Sequence, residues 1–206
     1  MKSAIVLFVC LLGGCVMTQA KPQEQSAQKP QEQSQEKPPL PFYDWGVCPF
    51  ECCTYRQWTL LRPVSFHQTH DKDSPVMFRL EQGQTVTGVT GVAITTKYGT
   101  AKVLKSVETL GFTKDPERLP FSGEPGQTLY VLNYEGEWDT LFWYKGKLYS
   151  GGIPVDDCEK MPASCEYVRP ESQAEETWWV MVQTPGGEIG WSDETDAFEH
   201  MDACGD

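Results

Sequence analysis

Six cysteines bracket the part of this chain that can fold. Cys48, Cys52 and Cys53 stand at its opening, Cys158 and Cys165 in its second half, and Cys204 near its end. The N-terminus decides how they are read. Met1-Lys2 leads into an apolar run, Ala4 to Leu12, with small residues at Gly13-Gly14 and Ala20. A positive start, a short apolar run and small residues after it mark a secretory signal over residues 1–20. In an exported chain six cysteines are expected as three disulfides. Cys158 and Cys165 form the easiest pair, across a short Pro-containing loop. Cys204 is expected to bond one of the three opening cysteines, which ties the ends of the fold together. Cys48-x3-Cys52-Cys53 lacks the two-by-two spacing of a structural zinc site.

The signal has two possible exits. Thr18-Gln19-Ala20 offers cleavage after Ala20, and Leu12-Gly13-Gly14-Cys15 resembles a bacterial lipobox whose acylated cysteine would anchor the chain. The apolar run is too short for a permanent span, which takes roughly 20 residues. Membrane contact is therefore expected only through lipid on Cys15. Residues 21–41 follow as a repeat, Lys21-Pro-Gln-Glu-Gln-Ser and Lys29-Pro-Gln-Glu-Gln-Ser, without aromatic or β-branched residues. Such a tract cannot offset its ordering entropy and reads as a disordered tether. Its reach is roughly 25 Å if coiled and about 60 Å if fully extended as polyproline.

About 165 residues remain, enough for one medium domain or two small ones. The net charge is -12, and no Lys/Arg cluster is present, which argues against a nucleic-acid partner. Strand signals dominate. Residues 86–96, 127–132, 138–144, 147–150 and 178–184 are rich in β-branched or aromatic side chains. Lys145-Gly146 and Pro185-Gly186-Gly187 are hairpin turns between such runs. One helical stretch is expected, from Ser192 to Met201, with a capping Ser and acids in its first turn. The fold class is all-β.

The chain also echoes itself. Phe78-Arg-Leu-Glu-Gln-Gly-Gln-Thr-Val86 matches Phe121-Ser-Gly-Glu-Pro-Gly-Gln-Thr-Leu129 at an offset of 43 residues. Ile94–Gly99 aligns with Val182–Gly187 at an offset of 88. Two small barrels account for this, over residues 42–112 and 113–206, the second carrying a disulfide-containing insertion at about 136–176.

Trp179-Val-Met-Val-Gln-Thr-Pro-Gly-Gly-Glu-Ile-Gly-Trp191 resembles the C-terminal strands of bacterial SH3-like (SH3b) domains: a Trp-led strand, a Gly turn, Gly-Trp and a short closing helical turn. Pro75–Val86 resembles their earlier segment, an apolar pair followed by Leu-x-x-Gly and a strand, and Gly126–Val131 fits the same place in a second copy. The resemblance covers about 100 residues. It implies SH3-like barrels and a cell-envelope binding role.

No catalytic set emerges. Only three histidines are present, and Gly-x-Ser-x-Gly and phosphate-loop motifs are absent. His67, His70, Asp71 and Asp73 together have the side chains of a metal site, yet read more simply as a polar loop. Asp193, Glu194 and Asp196 would suit calcium, yet read as the acidic first turn of the expected helix. No metal or other cofactor is expected. Aromatic residues carry the functional signal: 24 of 206 are Phe, Tyr or Trp. Trp138, Trp143, Tyr144, Trp179 and Trp191 are the candidate ligand-binding residues. The expected function is a non-catalytic exported module that binds a cell-wall component, such as a peptidoglycan peptide, or an envelope partner protein. The alternatives are a structural envelope lipoprotein and a metal-dependent enzyme built on His67, His70 and Asp71.

Overall fold

The computed structural model describes residues 37–153, 158 and 165–204. The signal segment, Cys15, Ala20 and the repeat up to residue 36 lie outside them. Pro38 is already buried, so packed structure begins inside the stretch read as tether.

Two curled sheets make up the fold. The first holds β1 (Phe42–Trp45), β2 (Gln57–Leu60), β3 (Val64–His67), β4 (Val76–Leu80) and β5 (Thr85–Lys97), then β13 (Glu175–Gln183), β14 (Ile189–Ser192) and β15 (Phe198–Glu199). The second holds β6 (Gly99–Val103), β7 (Val107–Thr113), β8 (Pro120–Gly123), β9 (Thr128–Gly136), β10 (Asp139–Tyr144), β11 (Lys147–Gly151) and β12 (Val168–Ser172).

The sheets have the same wiring. The first runs β15-β2-β5-β13-β14-β3-β4, with β1 added beside β5, and the second β12-β6-β9-β10-β11-β7-β8. The 43-residue echo is the turn that launches β5 and β9. Gln84 Oε1 accepts from the Glu81 amide at 2.6 Å, and Gln127 Oε1 from the Glu124 amide at 2.8 Å. Gly83 (φ +81°) and Gly126 (φ +87°) take the left-handed conformation this turn requires. Their amides bond the carbonyls of Leu60 and Val103, both at 2.8 Å. A β-bulge recurs too, between Met181 and Val182 and between Leu141 and Phe142.

The strands do not divide at 112/113. The whole second sheet, residues 99–172, is inserted between β5 and β13, whose ends Lys97 and Glu175 stay paired. The 88-residue alignment is overturned, because Ile94 on β5 and Val182 on β13 lie on neighbouring strands of one sheet rather than at counterpart positions in two copies. The Lys145-Gly146 hairpin is an integral part of the second sheet, not an insertion into it. Gly190-Trp191 lies on β14, inside the first sheet between β13 and β3. The expected helix at 192–201 is a 3-10 turn, Thr195–Ala197, followed by β15. Phe198 enters the core beside Trp58, and extended backbone lets β15 pair with β2, which a helix could not do.

Each sheet wraps its own core. Trp58, Leu60, Val64, Phe66, Val86, Val180, Val182, Ala197 and Phe198 fill the first. Ala101, Val103, Phe121, Leu129, Phe142, Tyr144 and Val168 are among those filling the second. The end of β9 joins the two. Thr95 Oγ1 donates to the Leu132 carbonyl at 3.1 Å, Asn133 Nδ2 donates to Asp44 at 3.0 Å, and the Phe50 backbone lies against Gly136.

Among the described residues three disulfides are present: Cys48–Cys53, Cys52–Cys204 and Cys158–Cys165. Cys158–Cys165 is the expected short pair, and Cys52–Cys204 ties the ends. The bridges suit a non-reducing, extracytoplasmic environment. Among the described residues no helix is long and apolar enough to cross a membrane.

Candidate ligand-binding face

Tyr43 and Trp45 alternate on β1, so both rings leave the same side of the strand. They stack with centroids 6.3 Å apart. The β3–β4 loop delivers His70 to them, 5.7 Å from the Tyr43 ring and 5.2 Å from the Trp45 ring. Trp191 on β14 completes the group, 6.2 Å from Trp45 and 5.5 Å from His70. The cluster faces solvent, with Trp45 59% and Tyr43 42% exposed. A groove of about 570 Å³ runs beside it, lined by Pro41, Tyr43, His70, Asp71, Ile94 and Trp179 among others.

The loop that carries His70 is held by its own hydrogen bonds. The Asp73 amide donates to Asp71 Oδ1 at 2.9 Å, and Ser74 Oγ donates to the Asp71 carbonyl at 2.7 Å. His67 Nδ1 donates to the Ser74 carbonyl at 2.9 Å. These are the turn-forming habits of Asp and Ser, and they lower the ordering cost of presenting a ring at the groove. Lys72 reaches Asp193 at 2.7 Å and ties the loop to the segment after β14.

The sequence-derived residues fall into two places. Trp179 and Trp191 belong to the first sheet; Trp138, Trp143 and Tyr144 belong to the second. They do not form one groove. Trp179 is 3% exposed and meets His67 edge-on, so it is the floor rather than the contact surface. Trp191 joins the exposed cluster. Tyr144 is buried, with its hydroxyl on Gln127 Oε1, and serves the second core. Trp143 is half-buried on the opposite face of β10. Trp138 is exposed at the β9–β10 turn.

The sequence does not single out Tyr43, Trp45 and His70 as candidate ligand contacts. The first two sit beside the segment read as tether, where an alternation over three residues carries little signal. His70 stands out in the sequence only as a candidate metal ligand. The structure gives His67 and His70 to a carbonyl and to aromatic rings. Among the described residues one cluster of three potential metal donors occurs, Cys52, Asp202 and Cys204, and its two sulfurs form a disulfide. Of the acids considered for calcium, Asp193 pairs with Lys72, and Glu194 and Asp196 both pair with Arg62.

Two acids at the junction of the sheets have raised pKa values. Burial pushes the Asp44 carboxyl up, opposed by the hydrogen bond from Asn133. Glu176 on β13 is pushed up to about 7, chiefly by desolvation, with Asp44 adding to it.

No family model, curated protein or solved structure matches the chain.

Proposed function

We propose that this chain is a non-catalytic exported binding module, built on two nested SH3-like barrels, that recognises a cell-envelope component. The ligand is a peptidoglycan peptide or a segment of a partner protein. The observation that carries the reading is the solvent-facing group Tyr43, Trp45, His70 and Trp191 beside a groove. Rings of this kind leave water poorly satisfied and favour a flat apolar or cationic partner. Asp71 at the groove adds negative charge suited to an amine on such a partner. The Gly turn, Gly190-Trp191 and the short closing 3-10 turn support the SH3-like assignment of the first barrel, and the shared strand order extends it to the second. The three disulfides support an exported setting.

The test is co-sedimentation of the purified protein with isolated cell wall, followed by titration with the wall peptides that compete. Trp45→Ala should weaken binding at least tenfold, the loss expected when a single aromatic anchor of about 1.4 kcal/mol or more is removed. Trp138→Ala, an exposed indole on the other sheet, should leave it unchanged. Full wall binding by Trp45→Ala would overturn the proposal.

A further inference from the structure

The internal duplication places a second groove, of about 750 Å³, in the second sheet. The strand registers show that it corresponds in position to the aromatic groove of the first. Met181 lies between Thr90 and Trp191, and Leu141 lies between Asn133 and Ser150. Trp191 therefore corresponds to Ser150, and Trp179, two residues before Met181, to Asp139. His67, paired with Trp191, corresponds to Phe112, paired with Ser150. Trp179, which lines the first groove, is thus replaced by an acid, and Trp191, in the ring cluster beside it, by a small polar side chain. The chemistry of the second groove is different for that reason.

Its charges are of both signs. Lys114 is already neutralised: its Nζ lies 2.7 Å from Glu135, whose side chain is 12% exposed and also accepts from Ser150. Arg118 is differently placed. Its guanidinium lies 5.6 Å from the centroid of the Phe112 ring and makes no ion pair among the described residues. The ring orients the guanidinium while leaving its donors available. Asp115 accepts from Thr113 Oγ1 at 2.6 Å, and neither it nor Asp139 makes a direct ion pair among the described residues, Lys114 acting on Asp139 only at longer range. Gly111 and Gly151 are paired where β7 meets β11, and a Cβ on Gly151 would lie 2.1 Å from the Leu110 carbonyl oxygen. Only glycine fits there, so this part of the groove stays open backbone.

We propose that this second groove binds a short zwitterionic peptide, with its carboxylate on the Arg118 guanidinium and its ammonium against Asp139 and Asp115. A guanidinium fork suits a carboxylate in two parallel hydrogen bonds. Lys114 does not compete for that carboxylate, because Glu135 holds it. The two acids supply the opposite pole within the same groove. The site is independent of the aromatic face in the first sheet.

The test uses alanyl-alanine as probe, with its N-acetyl and C-amide forms, against the full-length protein followed by amide NMR shifts. Alanyl-alanine should move the resonances of Gly111, Phe112 and Ser150. Each blocked form should bind at least tenfold more weakly. Arg118→Gln should abolish the preference for the free acid over the amide, and Arg118→Lys should restore it only in part. Asp139→Asn should reduce the preference for the free amine over its acetyl form. Trp45→Ala should change none of these values, even where it removes wall binding. Equal binding of free and blocked peptides, shifts confined to Tyr43 and His70, no shifts at millimolar peptide, or an unchanged acid preference in Arg118→Gln would each overturn the proposal.

Discussion

Removing the Cys52–Cys204 bridge should destabilise the protein far more than removing Cys158–Cys165. The first closes a separation of 152 residues and the second a separation of 7. In the chain-entropy account these lengths correspond to about 5.1 kcal/mol and about 2.4 kcal/mol at 25 °C, so the difference is about 2.7 kcal/mol. The native state should barely respond, because the two ends are held by more than sulfur. The Thr54 amide donates to the Met201 carbonyl at 2.9 Å, and the Ala203 amide to the Cys52 carbonyl at 2.9 Å. Arg56 Nε donates to the His200 carbonyl at 2.8 Å. The loss therefore lies in the freedom gained by the unfolded chain. The assay is urea unfolding followed by tryptophan fluorescence, with the paired serine variants Cys52→Ser/Cys204→Ser and Cys158→Ser/Cys165→Ser. A loss in the first variant no larger than in the second would refute the reasoning. So would an altered native spectrum in the first, which would mean that the bridge shapes the fold rather than limiting the unfolded state.

Other consequences follow from the packing. Gly88→Ala should cost about 1–3 kcal/mol, because the added Cβ would stand 2.6 Å from the Trp58 ring, which is fully buried. Gly152→Ala, with no atom within 4 Å of the new Cβ, is the neutral control in the same urea assay. Stability should fall as pH rises from about 4.5 towards 7 on account of Glu176. Its carboxyl binds a proton more readily in the fold than in the unfolded chain, so the penalty is absent below the unfolded value of 4.5 and complete above about 7. Glu176 is closely surrounded at its carboxyl yet exposed by surface area. The exposure governs the energy, because water screens the charge, and the expected fall is about 1–2 kcal/mol. Glu176→Gln should flatten that slope in unfolding midpoints measured at pH 4.5 and 7.5; an identical slope in both proteins contradicts the assignment. Replacing residues 98–174 by Asn-Gly between the paired Lys97 and Glu175 should leave a first sheet that folds on its own core and forms Cys48–Cys53 and Cys52–Cys204. Disulfide mapping by mass spectrometry reads this directly, and scrambled bridges would show that the first core needs the second.

The strands, both hairpin turns and the 43-residue echo were legible because each is written in a few neighbouring residues. Gly83 and Gly126 mark left-handed positions, and the Gln after each closes the turn on its own Glu. The helix expected at 192–201 shows the limit of such signals. Its early acids are present, but Ser192 Oγ only closes a local turn by accepting from the Glu194 amide at 3.2 Å, and no side chain caps the 3-10 turn. Burial of Phe198 then outweighed the local preference. The candidate site was half legible. Trp191 stands out in its motif, while Tyr43 and His70 join it only because β1 and the β3–β4 loop meet in space.

What the sequence by itself determined was the class of the fold, the short cysteine pair and the need for the ends to meet. Composition, alternation and loop length act over a few residues and survive without a tertiary context. Only the tertiary structure decided that one curled sheet is threaded between two paired strands of the other. Strand pairing is a choice among distant partners of similar pattern, and a Val-rich strand such as β5 matches several equally well. The same choice set the character of the two grooves. Register put Trp179 and Trp191 at the positions that Asp139 and Ser150 hold in the second copy, and no local pattern in the sequence could have aligned them.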